Sequence, residues 1–120
     1  MMVKGIGVDI VDVERFENID DKQNFIRQIL TEKERKEAPH GGRDARFSAA
    51  LFTAKEAVLK ALGCGLFFGS YWQDIEIEKL RKARLRGFVG QFAADTSVSQ
   101  IHISHSHSRK YVLTCVITED

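Results

Sequence analysis

The chain has 120 residues, 43% of them hydrophobic and 29% charged, so a single globular domain over residues 1–120 is expected and intrinsic disorder is not. Eighteen Lys and Arg against seventeen Asp and Glu leave a formal net charge of +1, which excludes any argument from bulk charge for a nucleic-acid or acidic partner. Two cysteines, Cys64 and Cys115, are too few for a disulfide framework, and no stretch reaches the ~20 apolar residues that span a bilayer. The start of the chain lacks the apolar core of a signal peptide, so the expected location is the cytoplasm, with no membrane association. A domain of this length buries only about two-thirds of its unfolded surface, which makes oligomerisation a natural supplement.

Residues 3–13 alternate as a strand, with Val8 and Ile10 set against Gly7, Asp9 and Val11. Two glycines inside it, Gly5 and Gly7, predict a bulge or a close backbone approach. A helix is expected next, with Phe25, Ile26, Ile29 and Leu30 as its apolar stripe. Thr31-Glu32-Lys33-Glu34 has the capping-box pattern that starts another short helix. Pro39 to Asp44 reads as a loop. The strongest helix covers 48–62, where Leu51, Ala54, Val58, Ala61 and Leu62 share a face and Gly63 and Gly65 end it. Strands are expected at 74–80, 100–104 and 110–118, and Lys79 to Arg86 either continues the first of these or starts another. The predicted class is α+β: a small antiparallel sheet packed against one long helix, with short N-terminal helices.

Several constellations could carry chemistry. Asp9, beside flexible backbone, suits a Mg²⁺ ligand or an ordinary strand aspartate. Glu56 and Lys60 share a helix face roughly opposite the apolar stripe, as a surface i,i+4 ion pair or as a metal carboxylate beside a phosphate-binding ammonium. Lys55, nearer the apolar face, is expected to snorkel over the core edge. The glycines from Gly63 to Gly69 either cradle a phosphate or simply cap the helix and turn the chain. His102, His105 and His107 raise zinc, a phosphate-binding turn of Ser, His and backbone donors, or a polar hairpin. As a zinc site they lack a third ligand of convincing spacing. Five basic residues between Lys79 and Arg86 fit either anion contact or charge placed on an edge strand.

Taken in order, Gly5-Ile-Gly-Val-Asp9 through Phe16, Phe52-Thr-Ala-Lys-Glu-Ala-Val-Leu-Lys-Ala-Leu-Gly63 and Ile103-Ser-His-Ser106 resemble the holo-[acyl-carrier-protein] synthases, the short type of 4′-phosphopantetheinyl transferase. Phe25 to Thr31 and Trp72 to Ile77 match at the corresponding places, so the resemblance covers nearly the whole chain. It implies the transferase fold with one unit per chain. It also implies transfer of phosphopantetheine from coenzyme A to a serine of apo acyl carrier protein, release of adenosine 3′,5′-bisphosphate, and a role in fatty acid biosynthesis. By the same resemblance Asp9 and Glu56 are the Mg²⁺ ligands, and Asp9, Glu56 and Lys60 form the catalytic set. Lys60, Gly63, Gly65, Ser104, His105 and Ser106 border the coenzyme, and Arg15 and Arg27 dock the carrier. The assembly it implies is a homotrimer with sites at subunit boundaries, and no nucleic-acid partner.

Net charge shows no docking face, since residues 12–37 hold six basic and eight acidic side chains. The chain departs from the family pattern at three places. Leu51 stands where an arginine is common, Cys64 stands where a threonine is usual, and Arg86-Gly87-Phe88 replaces a Gly-Lys-Pro-like turn. A non-catalytic polyanion binder acting through Lys79 to Arg86, and a coenzyme A binder that no longer transfers, are the competing readings.

Overall fold

A computed structural model of the chain describes residues 1–39, 44–64 and 71–120. Strand β1 (Val3–Asp12) forms where the alternation predicts it, and Asp12 then caps the short helix α1 (Val13–Glu17) by accepting the Glu14 amide at 2.9 Å. The helix expected behind β1 is divided: α1 stops at Asn18, and α2 (Lys22–Ile29) restarts from an Asp21 cap. Its stripe is as read, with Ile26, Ile29 and Leu30 buried. Helix α3 (Glu32–Glu37) begins with the capping box in both directions, the Thr31 hydroxyl taking the Glu34 amide and the Glu34 carboxylate taking the Thr31 amide.

Helix α4 (Ala45–Leu62) is the centre of the molecule. It starts from an Asp44 cap and ends at Gly63, whose φ of +74° is the left-handed conformation that favours glycine. The glycine run beyond it, Gly65 included, and most of the Pro39–Asp44 loop lie outside the described residues. After a single turn of 3₁₀ helix at Trp72–Asp74 come β2 (Ile75–Glu78), β3 (Lys82–Leu85), helix α5 (Gly87–Asp95), β4 (Gln100–His107) and β5 (Tyr111–Glu119).

The strands form two antiparallel sheets rather than the one expected: β1-β5-β4 and the hairpin β2-β3. Helix α4 packs across one face of the larger sheet, at a seam of glycine on alanine. A Cβ on Gly7 would lie 2.0 Å from the Ala57 carbonyl oxygen, and one on Gly5 equally close to that of Ala61. Both readings of the strand glycines hold: each marks a close backbone approach, and the register of β1 against β5 shifts between Val3 and Gly5, while Gly7 stays in register with Val116.

Helix α5 was not expected. Its N-cap residue, Arg86, has no side-chain cap of its own, and the capping carboxylate is that of Asp74, which accepts the Val89 amide at 3.3 Å. A start signal supplied from another element is invisible to a local reading. The basic stretch resolves as an exposed hairpin strand in which Arg84 pairs with Glu78 at 2.9 Å, consistent with the edge-strand reading. No helix among the described residues is long and apolar enough to cross a membrane.

Candidate active site

Asp9 lies on the face of β1 that α4 covers, and the helix supplies Lys60, which pairs with it, and Glu56, which feels its charge. Lys60 Nζ lies 2.9 Å from Asp9 Oδ1 and 3.1 Å from the Val8 carbonyl. The ammonium thus goes to the strand carboxylate and not to Glu56, one turn earlier on its own helix. Glu56 is only 8% exposed, so the sequence-level picture of a surface ion pair opposite the core is corrected. The correction has a physical cause: the sheet and the Trp72 turn both pack onto α4, so the helix has little open face left. Burial raises the proton affinity of Glu56 above the ordinary carboxylate range. The Trp72 indole opposes that shift, the Asp9 charge adds to it and the Lys60 charge opposes it. These mutual influences place the three side chains in one electrostatic cluster.

The cluster fits a divalent cation. Asp9 Oδ2 is buried and has no hydrogen-bond partner among the described residues, beside a second carboxylate that is short of solvation. No three metal-binding side chains converge among the described residues. Two carboxylates alone suit Mg²⁺, which keeps several waters and completes its octahedron with substrate phosphates.

Behind Asp9 runs a polar row across the sheet. Asp9 pairs with Thr114 on β5, and Thr114 pairs with His105 on β4. Thr53 of α4 donates to the Ala50 carbonyl at 2.9 Å, and its hydroxyl is also hydrogen-bonded to that of Thr114 at 2.8 Å. Thr114 Oγ1 also lies in hydrogen-bond contact with His105 Nδ1 at 2.8 Å. The other ring nitrogen of His105, Nε2, is buried. Burial holds the imidazole below its ordinary pKa, partly offset by the nearby Leu80 backbone.

His105 therefore sits within a strand, not in a turn. Ser104 and Ser106, its neighbours, are exposed on the opposite face of the sheet, so one chain does not bring the three together. His102 is also on that far face and bonds Glu119 at 2.6 Å, whereas His105 and His107 share the near face as the strand spacing predicts. Gly63 lies a short way beyond Lys60, exposed at the end of α4. Arg15 and Arg27 are exposed on α1 and α2, and Arg15 lines a shallow groove with Asp12, Glu14 and Asp20. Leu51, at the departure from the common arginine, is a core residue at 1% exposure, and Cys64 is buried with its thiol against the Leu59 carbonyl.

Sequence reasoning missed two contributors. Trp72 donates its indole N–H to Glu56 Oε1 at 2.8 Å. Lys55 does not snorkel but is fully buried, paired with Glu34 at 2.7 Å and bonded to the carbonyls of Ile29 and Trp72. It turns inward because α2, α3 and the Trp72 turn close over the part of α4 where solvent was expected. Glu34 is in turn held by the amides of Thr31 and Ile77. The available signals were the chain's single tryptophan and a lysine close to an apolar stripe.

With this geometry established, comparison with known proteins is informative. Residues 5–116 match the family model of the 4′-phosphopantetheinyl transferase superfamily. The chain is 35% identical to a holo-[acyl-carrier-protein] synthase of Caldicellulosiruptor saccharolyticus, over 98% of both sequences. Its fold is similar to the crystal structure of a holo-[acyl-carrier-protein] synthase from Neisseria meningitidis, with a TM-score of 0.80 and 30% identity, covering 99% of this chain and 100% of that one. It is also similar to the Bacillus anthracis synthase solved in complex with CoA (3′,5′-ADP), with a TM-score of 0.74 and 33% identity over 100% and 99% of the two chains. The chain therefore belongs to the holo-[acyl-carrier-protein] synthase family of the 4′-phosphopantetheinyl transferase superfamily.

Proposed function

We propose that this chain transfers the 4′-phosphopantetheine group of coenzyme A to a serine of apo acyl carrier protein and releases adenosine 3′,5′-bisphosphate, in support of fatty acid biosynthesis. The observation that carries this reading is the pairing of Asp9 with Lys60 within the field of Glu56 between β1 and α4, with one Asp9 oxygen unpaired among the described residues.

Asp9 and Glu56 would hold Mg²⁺. When bound, that ion neutralises charge on the pyrophosphate and polarises the attacked phosphorus. Lys60, anchored by Asp9 and the Val8 carbonyl, would lay its ammonium against the phosphates and stabilise the charge that accumulates on the leaving group. The remaining contribution is positioning, the main demand of in-line phosphoryl transfer. Gly63, Gly65 and His105 would border the coenzyme, and Arg15 and Arg27 would meet the acidic carrier.

Ser104 and Ser106 would serve a site completed by another copy of the chain. Their face of the sheet is apolar: Ile6 is 62% exposed, Ile10 58% and Val8 49%, flanked by Leu113 and Ile117. A face of this kind supports self-association, here read as a homotrimer with sites at its subunit boundaries. Two free cysteines among the described residues suit a cytoplasmic location.

Incubation with coenzyme A, Mg²⁺ and a panel of apo carriers, followed by mass spectrometry, tests the activity. A phosphopantetheine mass gain on a carrier is expected. Absence of any gain across the panel, with the protein folded, would overturn the reading.

A further inference from the structure

Trp72 is held at both ends by successive residues of α4. Its backbone carbonyl accepts from Lys55 Nζ at 3.1 Å, and its indole N–H donates to Glu56 Oε1 at 2.8 Å. Lys55 has little freedom to let go. It is completely buried, and its other bonds go to Glu34 and to the last turn of α2. The indole ring also meets the Phe52 ring, with centroids 5.8 Å apart and planes inclined at 53°, and Phe52 continues into a cluster with Phe16 and Phe25. Phe52 and Glu56 are four residues apart on α4, so the ring and the N–H of a single tryptophan engage neighbouring positions of one helix face. An indole can only donate, so it occupies one carboxylate oxygen without offering a proton acceptor to compete for a cation.

We propose that Trp72 is a positioning residue for Glu56: its indole N–H fixes the carboxylate orientation and leaves Oε2 as the oxygen presented toward Asp9 and a bound cation. The buried Lys55–Glu34 pair sets the backbone from which the indole reaches. This inference rests on the reading of Glu56 as a Mg²⁺ ligand only for its functional consequence; the orienting contact itself does not depend on it.

The chain contains one tryptophan, so a heteronuclear NMR spectrum of the labelled protein shows one indole N–H signal. In metal-free protein, Glu56→Ala should move that proton upfield and speed its exchange with water about tenfold, as loss of a charge-assisted bond requires. An indole signal unmoved by Glu56→Ala overturns the proposal, whatever Glu56 binds. In the transfer assay, Trp72→Phe keeps an aromatic ring on Phe52 but loses the N–H. It should raise the Mg²⁺ concentration for half-maximal rate of the folded variant about tenfold, beyond a modest fall in thermal stability from the carboxylate oxygen left without its donor. An unchanged Mg²⁺ requirement in the folded variant also overturns the proposal. If the parent protein transfers nothing, the proposed activity fails and the indole signal alone decides the positioning role; it decides equally if Trp72→Phe does not fold.

Discussion

Substituting Gly7 by alanine tests how tightly the site depends on the seam between β1 and α4. The added Cβ would lie 2.0 Å from the Ala57 carbonyl oxygen and 2.6 Å from the Ala61 nitrogen, whereas real Cβ contacts essentially never fall below 3.0 Å. Both obstacles are backbone atoms of a helix whose other side is packed against the core, so no side chain can rotate away. Strand and helix must separate by at least about 1 Å, the shortfall from that limit. Overpacking of this kind costs about 1–3 kcal/mol, and the rigid partners argue for ~3. For a domain of this size that corresponds to a fall in Tm of roughly 10 °C. Asp9 is two residues along the same strand face, and the 2.9 Å contact with Lys60 spans the same gap. A displacement of about 1 Å at a reacting centre can cost ~100-fold in rate. Thermal unfolding followed by circular dichroism, with the mass-spectrometric transfer assay on the folded fraction, reads both effects. A Gly7→Ala protein with the parent's Tm and the parent's rate would refute both the close-approach argument and the coupling of that seam to the site.

Lys55→Met should lower stability by about 3–5 kcal/mol, because it leaves the Glu34 carboxylate buried without its ammonium, and adding Glu34→Gln should recover part of that loss. A double variant no more stable than Lys55→Met in denaturant titrations would contradict this account of the pair. Glu56→Gln should abolish transfer while raising Tm at neutral pH in the absence of metal. Burial raises the proton affinity of Glu56 in the folded state, so its ionised form opposes folding above the folded-state pKa. The advantage of the neutral amide should therefore be full above that pKa and vanish as pH falls below the unfolded value near 4.5, where both states are protonated. A Glu56→Gln protein that melts below the parent at pH 7, or that transfers at the parent's rate, would count against the burial and the catalytic role respectively. Ile10→Asp places a charge on the exposed apolar sheet face and should reduce both the sedimentation coefficient and the rate per chain; parent-like sedimentation would remove that face from any assembly.

Much of the fold was legible because its signals are local. The alternation of β1, the Thr31–Glu34 capping box and the apolar stripe of α4 are each written within a few residues, and each formed as read. Helix α5 was not legible because the carboxylate at its start, Asp74, lies fifteen residues away from the amide it caps. The candidate site divides in the same way. Asp9, Glu56 and Lys60 were singled out by the family resemblance, whereas type and spacing alone left an ordinary strand aspartate and a surface ion pair open. Which of them pair was not legible, because Asp9 and Lys60 are 51 residues apart and meet only once α4 is laid on β1.

By itself the sequence determined the order of most elements and the small residues that admit a close helix–strand seam, and its family resemblance singled out three charged side chains for the candidate site. Tertiary structure alone decided how those residues are used. It buried Glu56, sent Lys60 to the strand, enclosed Lys55 with Glu34 and aimed the Trp72 indole at a carboxylate sixteen residues away. The physical reason is that the burial of a charge and the choice of its partner depend on what is packed over it. On α4 that covering comes from β1, α2, α3 and the Trp72 turn, all of which lie outside the helix motif in sequence.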